Sequence, residues 1–135
     1  MTYAFGKRSK ERMKTLHPDM VRVLNRAMSF QIMDFSVLET LRTVERQKHL
    51  VDTGASKTMN SKHLVHRDGF SHAFDVAPYP IDWQDTGRFY ILNGIIRAAA
   101  EVEGVNIRTG ADWDSDGLIL DHSFHDLPHY EKRGD

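Results

Sequence analysis

The sequence is organised around residues 61–78, which read SKHLVHRDGFSHAFDVAP. This stretch combines histidines and aspartates, and it ends in an apolar run that is typical of a buried strand. A second segment, residues 122–130, reads HSFHDLPHY. Six of the eight histidines in the chain lie in these two segments. We interpret the segments as the two halves of one metal site, and the rest of the chain as the scaffold that brings them together.

Length and composition exclude several classes of protein. The 135 residues suit one domain that buries a core without covalent staples. The chain has no cysteine, so a transition metal would be held by histidine and carboxylate, and a cysteine nucleophile is excluded. The formal charge of −1 gives no support for nucleic-acid binding. No apolar run approaches the roughly 20 residues needed to cross a membrane.

Helix signals mark four segments. Ser9 is a candidate N-cap for a short basic helix, and Pro18 suits the first turn of the next one. Apolar residues of that second helix recur at helical spacing, at Met20, Leu24, Ala27 and Met28. Thr43 is a candidate cap for a third helix, which reaches about residue 51 and is ended by Gly54. The fourth helix is predicted to start after Asp82.

Asp82 is predicted to cap a long helix that runs from about Trp83 to Glu103 and is closed by Gly104. Strands are predicted at residues 34–41, 72–77 and 105–108. Strands and helices are separated rather than strictly alternating. We therefore expect an α+β fold in a single domain, residues 1–135, with a small antiparallel sheet flanked by about three helices.

A metal site can be assembled from the two histidine-rich segments. Strand alternation places Asp75 on the same face as two alanines, where a carboxylate needs a strong partner and a cation fits. A catalytic zinc ion takes three protein ligands, and His63, Asp75 and His129 are candidates. The same set suits iron, and spacing does not rank the rival histidines His66, His72, His122 and His125. The alternative is a surface that is simply rich in histidine.

Several motifs resemble those of one enzyme family. Ser61-Lys62-His63 followed by Ser71-His72-Ala73-Phe74-Asp75, and the later Asp126-Leu127-Pro128-His129, are similar to the Ser-x-His…Gly-x-Ala-x-Asp and Glu/Asp-x-x-His motifs of the zinc D-alanyl-D-alanine carboxypeptidases. Residues 5–7, 17–19 and 110–113 resemble the phage endolysins of that family, which are L-alanyl-D-glutamate peptidases that cut peptidoglycan stem peptides. The resemblance covers essentially the whole chain.

The resemblance implies a role for each matching residue. His63, Asp75 and His129 become ligands of Zn²⁺ in a cleft on the sheet, and Asp126 becomes the general base and then the general acid. Arg42, in a segment similar to the family's Arg-Thr motif, holds the substrate and steadies the oxyanion.

The chain also departs from the family motif. Residues 65–70 form an inserted loop, and Ser71 replaces the motif glycine. His66 is therefore an alternative first ligand. We keep His63, because Ser61 precedes it as the motif requires.

A second metal is predicted downstream. Aspartates alternate and are followed by Gly117, as in the first half of a calcium loop. The candidate ligands are Asp112, Asp114, Asp116 and Asp121, the last of these in place of the usual glutamate. Some phage endolysins of this kind are calcium-regulated, so Ca²⁺ is a second candidate cofactor. The alternative is an acidic turn beside the cleft.

Together with these residues, the resemblance predicts a zinc peptidase that hydrolyses peptidoglycan stem peptides, an L-alanyl-D-glutamate endopeptidase that serves as a phage endolysin in host lysis. A D-alanyl-D-alanine carboxypeptidase or dipeptidase would use the same site, and a non-catalytic peptidoglycan-binding relative would need only the metal ligands. The N-terminus lacks a signal peptide, so we expect the protein to stay in the host cytoplasm until it is released. We expect a monomer with no separate cell-wall-binding module, no membrane insertion and no nucleic-acid partner.

Overall fold

The computed structural model describes residues 2–56, 58–111 and 126–134. The described helices are α1 (Lys7–Met13), α2 (Pro18–Ser29), α3 (Val44–Asp52) and α4 (Thr86–Glu103). The described strands are β1 (Phe35–Glu39), β2 (Ala73–Pro78), β3 (Ile107–Thr109) and β4 (His129–Lys132). The α+β prediction is confirmed, with four described helices in place of about three. None of these helices combines the length and apolarity that a membrane span requires.

The four strands form one antiparallel sheet in the order β1-β2-β4-β3. One face of the sheet contributes Val37, Phe74 and Tyr130 to a core that α2 and α4 complete. The residues between these in the strands point the other way. Asp75 and His129 are directly opposite each other across β2 and β4, so both belong to the second, polar face of the sheet.

The predicted starts of α2 and α3 are confirmed. Pro18 lies in the first turn of α2, and the Nδ1 atom of His17 accepts a hydrogen bond of 3.0 Å from the backbone N–H of Asp19. The predicted apolar stripe of α2 is buried, at Met20, Leu24, Ala27 and Met28. Thr43 caps α3 by accepting a hydrogen bond from the backbone N–H of Arg46.

The prediction for the first helix start is wrong. Ser9 is buried inside α1, and Gly6 is the N-cap. The Ser9 hydroxyl oxygen accepts a hydrogen bond of 2.9 Å from the backbone N–H of Val37, so it ties α1 to the edge strand β1. The third strand is also displaced, because β3 covers Ile107–Thr109 rather than residues 105–108.

The start of α4 is three residues later than predicted, at Thr86 rather than Trp83. Asp82 accepts a hydrogen bond from the backbone N–H of Gln84, so it caps a turn that precedes the helix. The predicted end is confirmed, since Gly104 follows α4 with a φ angle of 68°. Glycine adopts this left-handed conformation without steric cost.

A bulge in β1 changes which side chains reach the polar face. Val37 is opposite Val76 on the core face, and strict alternation would put Glu39 on that face too. The register shifts between these residues, so Leu38 is extra and Glu39 lies opposite Asp75. The bulge therefore turns the Glu39 carboxylate toward the polar face, as bulges beside functional sites often do.

Candidate active site

A cleft lies over the polar face of the sheet, bordered by α3 and the loop that follows it. The cavity has a volume of about 560 Å³. Its lining includes all five residues proposed from the sequence for metal binding and catalysis: Arg42, His63, Asp75, Asp126 and His129. Residues far apart in the chain thus meet in one cavity because the loop before β2, the β2 strand and β4 are adjacent in space.

Three of these residues form a compact cluster. The Oδ1 atom of Asp75 lies 3.1 Å from Nε2 of His63 and 3.2 Å from Nδ1 of His129. One ligand atom from each residue lies within 4.8 Å of the other two. Burial raises the pKa of the Asp75 carboxyl, but hydrogen bonds from the two histidines outweigh it and hold that pKa well below its usual range.

The orientation of the His63 ring is set by the backbone. Its Nδ1 atom lies 2.8 Å from the carbonyl oxygen of Thr40. A carbonyl only accepts hydrogen bonds, so Nδ1 carries a proton. With Nδ1 turned to the Thr40 carbonyl, Nε2 is the nitrogen that faces the Asp75 carboxylate, 3.1 Å away, and a proton or a metal ion can lie between the two atoms.

The His129 ring lies between two carboxylates. Its Nε2 atom is 2.8 Å from Oε1 of Glu131, and its Nδ1 atom faces Asp75. Burial lowers the pKa of His129, but the hydrogen bonds to Asp75 and Glu131 raise it to about 9. Without a metal the ring is thus an imidazolium, and a metal ion would replace the Nδ1 proton. Metal affinity should consequently rise with pH.

The donor set fits a transition-metal ion. Two imidazole nitrogens and one carboxylate oxygen converge, and this combination suits zinc in a catalytic site. In both rings the nitrogen remote from Asp75 is engaged by an oxygen acceptor, Thr40 in one case and Glu131 in the other. Such outer contacts fix the tautomer of metal-binding histidines.

Arg42 borders the cluster and is held rigidly. Its Nε and Nη2 atoms donate to the two carboxylate oxygens of Glu39 at 2.7 and 2.9 Å, and its Nη1 donates to Gln47 at 2.8 Å. Burial lowers the pKa of Arg42, but Glu39 raises it more, so the guanidinium stays charged. The Nη2 atom is 4.0 Å from Oδ2 of Asp75.

Asp126 lies in the cleft three residues before His129. Its backbone N–H donates to the carbonyl of Gly110 at 2.9 Å, and a Cβ atom on Gly110 would overlap the Asp126 backbone. Burial raises the pKa of the Asp126 carboxyl above its ordinary value, and the Asp75 charge adds to this rise, although nearby cationic groups oppose it. A carboxyl with a raised pKa beside a metal-type cluster is a candidate proton carrier.

Comparison of the sequence with known protein families identifies the family of this chain. The model described as Phage L-alanyl-D-glutamate peptidase matches residues 1–132. The chain belongs to the phage L-alanyl-D-glutamate peptidase family. The family resemblance predicted from the motifs is thereby confirmed.

Two peptidases are similar to this chain, one in sequence and one in both sequence and structure. The chain is 31% identical over 120 residues to the L-alanyl-D-glutamate peptidase of Escherichia phage T5, with 87% of this chain and 86% of the relative covered. The crystal structure of the Serratia marcescens L-Ala D-Glu endopeptidase ChiX is similar with a TM-score of 0.77 and 29% identity, over 96% of this chain and 90% of that one.

Two of the rival histidines lie away from the cleft. The ring of His66 stacks on that of His72 with 3.7 Å between centroids. The Nε2 atom of His72 contacts Asp68 rather than Asp75. Among the described residues, the cluster around Asp75 contains His63 and not His66. The geometry therefore favours His63 as the first ligand.

Other residues singled out in the sequence lie outside the described residues. These are the two rival histidines and the four calcium candidates: His122, His125, Asp112, Asp114, Asp116 and Asp121. The calcium site of this phage peptidase family member stays a prediction.

Sequence reasoning missed three residues that support the site. Glu39 and Gln47 hold the Arg42 side chain, and Glu131 holds the His129 ring. A signal existed for Glu131, because residues two apart in a strand share a face. No comparable signal existed for Glu39, since only the β1 bulge turns it into the cleft.

Replacing Glu131 with glutamine is expected to weaken zinc binding by about 10–100-fold, the usual effect of losing an outer contact of a metal ligand. A neutral amide is a poorer acceptor for the Nε2–H of His129 than a carboxylate. Competition with a chromogenic zinc chelator measures the change. Glu101→Gln, an exposed change on α4, is the matched control. Equal zinc affinity in Glu131→Gln and the parent protein would contradict the assigned contact.

Proposed function

We propose that this protein is a zinc-dependent L-alanyl-D-glutamate endopeptidase that hydrolyses peptidoglycan stem peptides as a phage endolysin. The observation that carries the proposal is the meeting of Asp126 with the cluster of His63, Asp75 and His129 in one cavity. Family membership supports the reaction, because both similar proteins described above are named for cleavage between L-alanine and D-glutamate.

His63, Asp75 and His129 hold the zinc ion in this proposal. The protein presents Nε2 of His63 and Nδ1 of His129 to it, because the other nitrogen of each ring donates to an oxygen. A zinc ion held by these residues would supply Lewis-acid chemistry, which would make the scissile carbonyl more electrophilic and water a better nucleophile at neutral pH.

Asp126 is proposed to move the proton. Its carboxylate takes a proton from the attacking water, whose oxygen joins the carbonyl carbon of L-alanine. It then gives that proton to the nitrogen of D-glutamate as the carbon–nitrogen bond breaks. The raised pKa of Asp126 suits both steps, because acid–base catalysis is most efficient when the pKa approaches the working pH.

Arg42 is proposed to bind the substrate and stabilise the negative charge that develops on the carbonyl oxygen. A guanidinium has five N–H groups, and the bonds to Glu39 and Gln47 use three of them. One N–H on each terminal nitrogen is left outside these bonds. Because the side chain is already fixed, donating these groups to a substrate costs little reorganisation.

The remaining parts of the proposal follow the sequence expectations. The chain forms a single peptidase domain and acts as a monomer. It stays in the host cytoplasm until release gives it access to the cell wall, where its substrate lies.

Digestion of purified peptidoglycan tests the reaction. Zinc-loaded protein is incubated with Gram-negative-type peptidoglycan, and the released fragments are analysed by mass spectrometry. We expect glycan strands that retain L-alanine, together with free peptides that begin with D-glutamate. Loss of terminal D-alanine alone would instead assign the carboxypeptidase reaction to the same site. Intact peptidoglycan in the presence of bound zinc would contradict the proposal and favour a binding role.

A further inference from the structure

A second group of metal-type ligands lies outside the cleft. His17, Asp68 and His72 each place one ligand atom within 4.8 Å of the other two. His17 is the N-cap of α2, Asp68 lies in the loop of residues 65–70, and His72 immediately precedes β2. Strand alternation puts His72 on the opposite side of the chain from Asp75. The two groups are therefore separate.

Distances in this group resemble those of the cluster in the cleft. The Oδ2 atom of Asp68 is 2.7 Å from Nε2 of His72 and 3.7 Å from Nε2 of His17. The equivalent distances around Asp75 are 3.1 and 3.2 Å. Ligands of a tetrahedral zinc ion at about 2.0–2.1 Å from the metal are about 3.3 Å apart. A small shift of the exposed Asp68 side chain between the two more buried histidines would therefore accommodate an ion.

We propose that His17, Asp68 and His72 bind a second transition-metal ion, which fastens the loop of residues 65–70 to the start of α2. The donor set of two imidazoles and one carboxylate suits zinc and neighbouring first-row metals. The role assigned to the ion is structural, because the group lies outside the cavity in which hydrolysis is proposed. This inference does not depend on the proposed function.

The His72 ring is suited to this role. Its side chain is 3% exposed, and among the described residues its Nδ1 atom has no hydrogen-bond partner. Within that part of the chain, Nε2 is therefore the nitrogen that orients the ring, and it points at Asp68. Burial lowers the pKa of His72, although Asp68 opposes this shift.

The loop positions the Asp68 carboxylate in advance. Its Oδ1 atom accepts a hydrogen bond of 3.0 Å from the backbone N–H of Phe70, and the N–H of Gly69 donates to the carbonyl of His66 at 2.9 Å. Gly69 has a φ angle of 85°, a conformation that glycine adopts readily and that closes the turn. Oδ2 is thereby left facing the two histidines.

The backbone holds the other nitrogen of His17. Its Nδ1 atom accepts a hydrogen bond of 3.0 Å from the backbone N–H of Asp19. Nε2 is therefore the nitrogen of this ring that faces the group, 3.7 Å from Oδ2 of Asp68.

Zinc content tests the proposal. The full chain is equilibrated with zinc and then separated from unbound zinc. The number of zinc ions bound per chain is measured by elemental mass spectrometry. We expect Asp68→Asn to hold one zinc per chain fewer than the parent, and Asp52→Asn, an exposed change on α3, to match the parent. Asparagine at position 68 keeps an acceptor for Phe70. Because variants are compared with the parent, ions bound elsewhere cancel.

A second variant and a second measurement distinguish loss of the ion from misfolding of Asp68→Asn. His17→Asn keeps a good helix cap and should lose the same ion. In the parent, zinc should slow hydrogen exchange of backbone amides in residues 65–70, and this protection should be absent from both variants. Equal zinc content in the parent and in both variants would overturn the proposal. Zinc content is read independently of hydrolysis, so that result would leave the proposed peptidase activity standing.

Discussion

Asp126→Asn is expected to lower kcat for stem-peptide hydrolysis by about 10²–10⁴-fold, the usual contribution of general acid–base catalysis. Asparagine has nearly the same shape as aspartate but takes up no proton from water. The hydrogen bond between the Asp126 backbone N–H and Gly110 does not involve the side chain and should persist. The zinc content should be unchanged, because Asp126 lies outside the cluster around Asp75.

Turnover of soluble stem peptide and zinc content are measured on the same preparation of Asp126→Asn. Asp52→Asn is the control, since residue 52 is an exposed aspartate on α3 that does not line the cleft. A variant that keeps its zinc and its full kcat would rule out Asp126 as the proton carrier. Loss of zinc along with activity would assign Asp126 to metal binding instead.

His63→Ala is expected to abolish hydrolysis, with a loss of at least about 10²-fold, because a Lewis-acid metal contributes several kcal/mol to catalysis. His66→Ala should retain the activity of the parent. The prediction follows from geometry: His63 Nε2 is 3.1 Å from Asp75, whereas the His66 ring stacks on His72. The pair of variants tests the choice of His63 over His66, the alternative first ligand.

Hydrolysis rates and circular dichroism are compared for the two histidine variants. His63 is 1% exposed, so His63→Ala also opens a cavity and should lower the melting temperature. Added zinc separates loss of metal binding from loss of folding. Excess zinc refills a metal site whose affinity is weakened, but it does not refold an unfolded chain. The reverse pattern, with activity lost in His66→Ala and kept in His63→Ala, would show that the first ligand was assigned incorrectly.

Sequence signals predicted a helix start or end correctly where that boundary depends only on residues a few positions away in the chain. Pro18 and Thr43 mark helix starts because a first-turn proline and a capping hydroxyl act within a few residues. Gly104 marks a helix end for the same reason. The failures at Ser9 and Asp82 have different causes. The Ser9 hydroxyl accepts from the backbone of Val37 in another element. Asp82 accepts from the backbone N–H of Gln84 as a cap does, but it closes only a turn, and the helix begins later, at Thr86.

The metal-binding residues of the candidate site were also predicted from the sequence. His63, Asp75 and His129 were chosen from residue type, strand alternation and motif resemblance, and the fold brings them together. The motif already favoured His63 over His66, because Ser61 precedes it, and the structure agrees by placing Nε2 of His63 3.1 Å from Asp75.

The sequence by itself determined the fold class, the helix starts at Pro18 and Thr43, the family and the five residues proposed for metal binding and catalysis. Tertiary structure alone decided that Glu39 faces the cleft, since a bulge in β1 reverses its side. It also decided that His17 meets Asp68 and His72. The physical reason is the same in both cases. Neither the register shift in β1 nor the approach of His17 to Asp68 and His72 leaves a periodic pattern in the sequence. Both depend on how the sheet and α2 pack in the folded chain.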